Sequence, residues 1–138
     1  MTMHSRKQTT FVLLALILCI LFAACGTTKE TTQEAVYMQI SAEEAKNLMD
    51  TEKNYVILDV RPQEEYDQGH IPGAVVIPHT EISARAEEAI PRKEQMLLVY
   101  CRSGNRSKQA ARALAELGYT DIREFGGILD WPYEVVKE

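Results

Sequence analysis

The 138-residue sequence predicts an α/β fold with a mostly parallel sheet of about five strands and helices on both faces. Three observations lead there. Val56-Ile57-Leu58 and Leu97-Leu98-Val99-Tyr100 are short apolar runs without polar alternation, the signature of strands buried on both faces. Segments with helical spacing separate such runs. Two of the runs end on chemically capable side chains, Asp59 and Cys101, and ligands of parallel sheets sit at the carboxyl ends of strands.

Residues 37–40 alternate and open the domain as a short strand. Ser41-Ala42-Glu43-Glu44 has the form of a capping box, and Ala45, Leu48 and Met49 give the helix behind it an apolar face. The strand at Val56-Ile57-Leu58 leads into Asp59-Val60-Arg61, and Pro62 suits the first turn of a helix through Tyr66. Gly69-His70-Ile71-Pro72-Gly73 is a loop by its glycines and proline. A strand over 74–77 stops at Pro78, a helix over 81–89 stops at Pro91, and 96–100 is the central strand. Ala110, Ala111, Leu114 and Leu117 share one face of a helix over 105–117, with Gly118 as its C′ residue. A last strand over 121–125, a turn at Gly126-Gly127 and a closing helix over 128–136, interrupted or restarted at Pro132, complete the expected order.

The N-terminus reads as an export signal. Arg6 and Lys7 precede an unbroken apolar run over 11–24. That run is short of the roughly 20 residues needed to span a membrane, and small residues close it. Leu21-Phe22-Ala23-Ala24-Cys25-Gly26 resembles a bacterial lipobox, although Phe22 departs from the usual aliphatic residue. The expectation is a signal over 1–24, lipidation at Cys25 and a flexible tether over 25–36, with the folded domain over 37–138. Acyl chains would supply the anchor that the short run cannot. The protein is then exported and held at the membrane of the cell envelope. Cleavage without lipidation would leave it soluble, either periplasmic or secreted.

After residue 25 the chain carries 13 basic and 20 acidic residues, a formal charge of −7. That argues against nucleic acid as a partner. Only His70 and His79 follow the signal, which argues against a zinc site. No metal and no cofactor is expected. If Cys25 is acylated, Cys101 is the lone free thiol, and the sequence has no Cys-x-x-Cys pair for redox exchange.

Cys101 ends the central strand, and Arg102, Ser103, Gly104, Asn105, Arg106 and Ser107 lead into the next helix. Helix N-termini present unpaired N–H groups and partial positive charge, so they favour anions. A thiol in that field ionises more readily, and the thiolate is the reactive form. The expected chemistry is a nucleophilic sulfur in an anion cradle.

Taken in order, Asp59-Val60-Arg61, Glu65-Tyr66, Gly69-His70-Ile71-Pro72-Gly73-Ala74, Tyr100-Cys101-Arg102-Ser103-Gly104-Asn105-Arg106-Ser107, Leu117-Gly118-Tyr119, Gly126-Gly127 and Trp131 resemble the rhodanese domain in its single-domain form. The resemblance implies a three-layer rhodanese-like fold and a sulfurtransferase. It implies that Cys101 takes sulfane sulfur from a small anion such as thiosulfate, becomes a persulfide, and passes the sulfur to a thiol or cyanide. The backbone N–H groups from Arg102 to Arg106 would surround that persulfide, Arg102 could meet the donor's sulfonate, and Ser107 could cap the helix or bond to the loop. Asp59 and Arg61 are expected to brace the loop, His70 to sit in a structural turn, and Trp131 to pack.

Two other functions compete. Cysteine phosphatases and arsenate reductases also place a thiolate at a helix N-terminus, but with a longer gap between cysteine and arginine than the four residues separating Cys101 from Arg106. The tighter loop suits a sulfane sulfur better than a tetrahedral oxyanion. A rhodanese-like binding, regulatory or sulfur-carrier module is the non-enzymatic alternative. Such modules often lack the cysteine or the loop, and this chain keeps both.

Overall fold

The computed structural model describes residues 36–137. The signal over 1–24, Cys25 and all of the 25–36 tether except its last residue lie outside them. The elements are β1 (Met38–Gln39), α1 (Ala42–Thr51), β2 (Tyr55–Asp59), α2 (Gln63–Asp67), β3 (Val75–Val76), a 3-10 turn (His79–Glu81) running into α3 (Ile82–Ala89), β4 (Met96–Cys101), α4 (Asn105–Glu116), β5 (Ile122–Gly127) and a second 3-10 turn (Ile128–Asp130). The five strands form one sheet in the order β1-β5-β4-β2-β3. Every pairing is parallel, as the separating helices require.

Alternation along β4 divides the interior in two. Leu97, Val99 and Cys101 enter one core with Ile82 and Ala86 of α3 and Ala110, Ala111 and Leu114 of α4. Leu98 and Tyr100 enter the other, with Ala45 of α1, Tyr66 of α2, Phe125 and Trp131. Helices therefore cover both faces, and the central strand has no polar side chain facing water. The capping box at α1 is present: Ser41 N–H donates to Glu44 Oε2 at 2.7 Å and Glu44 N–H to Ser41 Oγ at 3.1 Å. The Ser41 N–H, and the Ser41 hydroxyl donating to the same oxygen at 3.0 Å, hold the Glu44 carboxyl below its ordinary value.

Two expectations need correction. Instead of a closing helix over 128–136 there is one 3-10 turn, Ile128–Asp130, followed by irregular chain. Pro132 has no N–H to continue a helix, and Val136 exchanges backbone hydrogen bonds of 2.9 Å with His70 in an antiparallel bridge. Gly126 and Gly127 are the end of β5 rather than a separate turn. The register slips between Val99 and Cys101, so that Val99 lies opposite Glu124 while Cys101 lies opposite Gly127. This bulge ends β4 directly beside the two glycines.

Candidate active site

Cys101 is the last residue of β4, and α4 begins four residues later, so the thiol and the helix N-terminus share one tight turn. Gly104 closes that turn with φ +103°, a left-handed conformation that glycine adopts without a Cβ penalty. Its N–H then donates to Cys101 Sγ at 3.1 Å. The thiol lies 3.4 Å from Ser107 Oγ, one turn into α4. Burial pushes the thiol up, but for the ionised sulfur the Ser107 hydroxyl and the backbone N–H groups of Ser107, Gly104 and Ser103 more than offset it. The thiol therefore sits below its ordinary value. Cys101 is only 1% exposed.

The loop rests on β5. An alanine Cβ at Gly127 would lie 2.0 Å from Arg102 O and 2.4 Å from Ser103 N, so backbone occupies the space a side chain would need. Leu129 N–H donates to Arg102 O at 3.2 Å on the same side. Arg102, Ser103 and Asn105 are exposed and Arg106 is half-buried. A cavity of about 440 Å³ opens beside the loop, with Arg61, Glu65 and Arg102 on its polar wall and Ile128, Leu129 and Val135 on its apolar one. Cys101 lies behind the loop rather than on that wall.

Two ion pairs frame this cavity. Arg61 grips Asp59 through Nε and Nη2, the shortest contact being 2.6 Å, and both are buried. Burial alone would lower Arg61, but Asp59 outweighs it and raises it. Arg61 Nη2 also donates to Gly69 O at 2.8 Å, so the pair ties the end of β2 to the Gly69 turn rather than to the cysteine loop itself. Arg106 makes a bidentate pair with Glu65 of α2 at 2.7 and 2.9 Å, and that pair holds the first turn of α4 against α2. Arg106 lowers the Glu65 carboxyl, and Glu65 raises Arg106.

His70 is buried, its ring stacked on Tyr66 with centroids 3.6 Å apart and its Nδ1 3.0 Å from Tyr66 O. Trp131 packs on Phe125 and donates from Nε1 to Glu134 O at 3.2 Å. Sequence reasoning passed over Glu124. It is 2% exposed, on the same face of β5 as Cys101 is of β4, and its Oε1 accepts from Ser107 Oγ at 2.6 Å and from Gly126 N–H at 2.8 Å. Its only sequence signal is an acid inside a short strand next to a glycine pair.

Comparison with known proteins agrees with this geometry. The model of the rhodanese-like domain matches residues 41–133. Thiosulfate sulfurtransferase PspE of Escherichia coli is 41% identical over 80 residues, covering 58% of this chain and 77% of that protein. Putative sulfur carrier protein YrkF of Bacillus subtilis is 40% identical over 94 residues, covering 67% of this chain and half of that longer protein. Among solved structures, a rhodanese with anions from E. coli is 39% identical with a TM-score of 0.58, covering 61% of this chain and 99% of that one. With the fold, the cysteine loop and these relatives in agreement, the chain belongs to the rhodanese-like sulfurtransferase family.

Proposed function

We propose that this protein moves sulfane sulfur from an anionic donor such as thiosulfate to a thiol or cyanide through a persulfide on Cys101. The observation that carries the reading is the Gly104 N–H on Cys101 Sγ at 3.1 Å, at the junction of β4 and α4. The thiolate attacks the outer sulfur of thiosulfate. The bond between the two donor sulfurs breaks, and sulfite leaves with its electron pair. The persulfide keeps one negative charge, and the fixed N–H groups of the loop meet that charge before and after transfer with little reorganisation. An acceptor thiolate or cyanide then attacks the outer persulfide sulfur and releases the Cys101 thiolate. Arg102, exposed at the cavity, is positioned to attract the donor's sulfonate, while Ser103, Asn105 and Arg106 shape the cradle.

The same reading makes Cys25 a lipidated residue that tethers the domain to a membrane of the envelope. Its support is the lipobox-like run Leu21-Phe22-Ala23-Ala24-Cys25-Gly26. Mass spectrometry of the mature N-terminus tests it, and an unmodified terminus refutes it. For the chemistry, intact-mass analysis after incubation with thiosulfate is expected to show a gain of one sulfur that is absent in Cys101→Ser. Phosphate-ester hydrolysis with no persulfide formed would overturn the assignment. A Cys101→Ala variant that retains full function through a bound partner would favour a binding module instead.

A further inference from the structure

Glu124 presents a problem of charge. It is buried to 2% exposure and, among the described residues, forms no ion pair. Its recorded partners are neutral: Ser107 Oγ at 2.6 Å, Gly126 N–H at 2.8 Å and Gln39 Nε2 at 3.4 Å. Ser107, itself 0% exposed, stands between two acids, with Cys101 Sγ at 3.4 Å on one side and Glu124 Oε1 on the other. Its hydroxyl has a single proton and cannot donate to both; Gly104 O at 2.9 Å and Gly126 O at 3.2 Å also lie within its reach, and the Glu124 contact is the shortest.

We propose that Cys101 and Glu124 share one proton through the Ser107 hydroxyl, with Glu124 as the internal acceptor when the sulfur ionises. The S–H bond breaks toward Ser107 Oγ while the Ser107 O–H proton passes to Glu124 Oε1. The electron pair of the S–H bond stays on sulfur. Thiol plus carboxylate become thiolate plus carboxylic acid, so the site keeps one negative charge throughout. Ser107 then donates to the sulfur and accepts from the protonated carboxyl. This route hands the thiol proton to a carboxyl inside the fold, so no water has to serve as the base. Glu124 acts through Ser107 and is a positioning residue.

The charged and titratable groups on the surrounding elements are paired with one another or face outward, except that Arg106 also reaches the Cys101 sulfur as a cation and hydrogen-bond donor. On α4, Arg106 is paired with Glu65, Lys108 is half-buried and Arg112 is exposed. Asp59 and Arg61 on the β2 side bind each other, and Arg123 on β5 binds Asp121. Arg102 in the loop is exposed, and His79 in the 3-10 turn is half-buried. On the strand flanking β5, Gln39 is neutral.

The inference rests on Cys101 as the nucleophile, and its test does not require sulfur transfer. The rate of Cys101 alkylation by iodoacetamide is measured from about pH 4 to about pH 10 on the full chain. In the wild type two steps are expected, because a pair sharing a proton titrates with two macroscopic values and the reactive fraction is flat between them. In Glu124→Gln one step is expected, with a rate that falls about tenfold per pH unit below its midpoint. Should that variant not fold, Ser107→Ala cuts the same relay and is expected to give one step. A single step in the wild type overturns the proposal, as do two steps that persist in a folded variant. Failure of the thiosulfate mass gain with a two-step profile intact would count against the sulfurtransferase reading alone.

Discussion

Replacing Gly127 by alanine tests whether β5 sets the shape of the cysteine loop. The added Cβ would meet Arg102 O at 2.0 Å, Arg102 C at 2.2 Å and Ser103 N at 2.4 Å, all of them backbone atoms. No rotamer change relieves such contacts. The loop has to withdraw by about 1 Å to restore van der Waals separation, which stretches the Gly104 N–H contact to Cys101 Sγ and the Leu129 N–H contact to Arg102 O. Overpacking costs about 1–3 kcal/mol, and each weakened hydrogen bond adds about 1 kcal/mol. A total of about 3–5 kcal/mol lowers Tm by roughly 15–25 °C in a domain of this size. Misplacing a reacting group by about 1 Å can slow a reaction roughly 100-fold. Calorimetry and the rate of persulfide formation from thiosulfate read the two effects. A Gly127→Ala protein with unchanged Tm and unchanged rate would refute the packing argument.

Arg61→Met is expected to destabilise the domain by about 3–5 kcal/mol in urea, because it leaves the buried Asp59 carboxylate unpaired. Ser107→Ala removes a donor to the ionised sulfur, and the rate of Cys101 alkylation at about pH 7 is expected to fall roughly tenfold. Folding lowers the thiol, so the stability it contributes relative to Cys101→Ala is full above the ordinary cysteine value of about 8.5. It is lost as pH falls through the folded value, and urea titrations across that window check the sign. Glu65 is likewise lowered, chiefly by Arg106. Its stabilisation, about 0.5–1 kcal/mol for a partly exposed pair, is present above the ordinary carboxylate range, fades as pH falls through the folded value, and is absent in Glu65→Gln.

The sheet was legible because its strands are buried on both faces: Leu97 to Tyr100 has no polar interruption to confuse with a helix face. The capping box at Ser41 was legible because local hydrogen bonding produces it, and the helix after Gly104 because its buried residues recur on one face. Residues 128–136 were not. Ile128, Trp131 and Val135 recur at helical spacing, yet tertiary packing of Trp131 and the bridge from Val136 to His70 prevail over that pattern. The fit of Gly127 under Arg102 was hidden for a different reason. A glycine pair reads as a turn unless the chain lying across it is known. Glu124 was hidden because an acid in a strand ordinarily faces water, and only its pairing opposite the buried Val99 shows that it faces the α4 side, where it meets Ser107.

Both outermost strands, β1 and β3, are two residues long. Among the described residues each has one partner strand, and its outer edge offers a ladder too brief to template a neighbouring molecule, so the hydrogen-bonding capacity of the sheet is spent almost wholly within the domain. Concentrated samples should resist strand-to-strand aggregation without help from charged or proline guards at those rims.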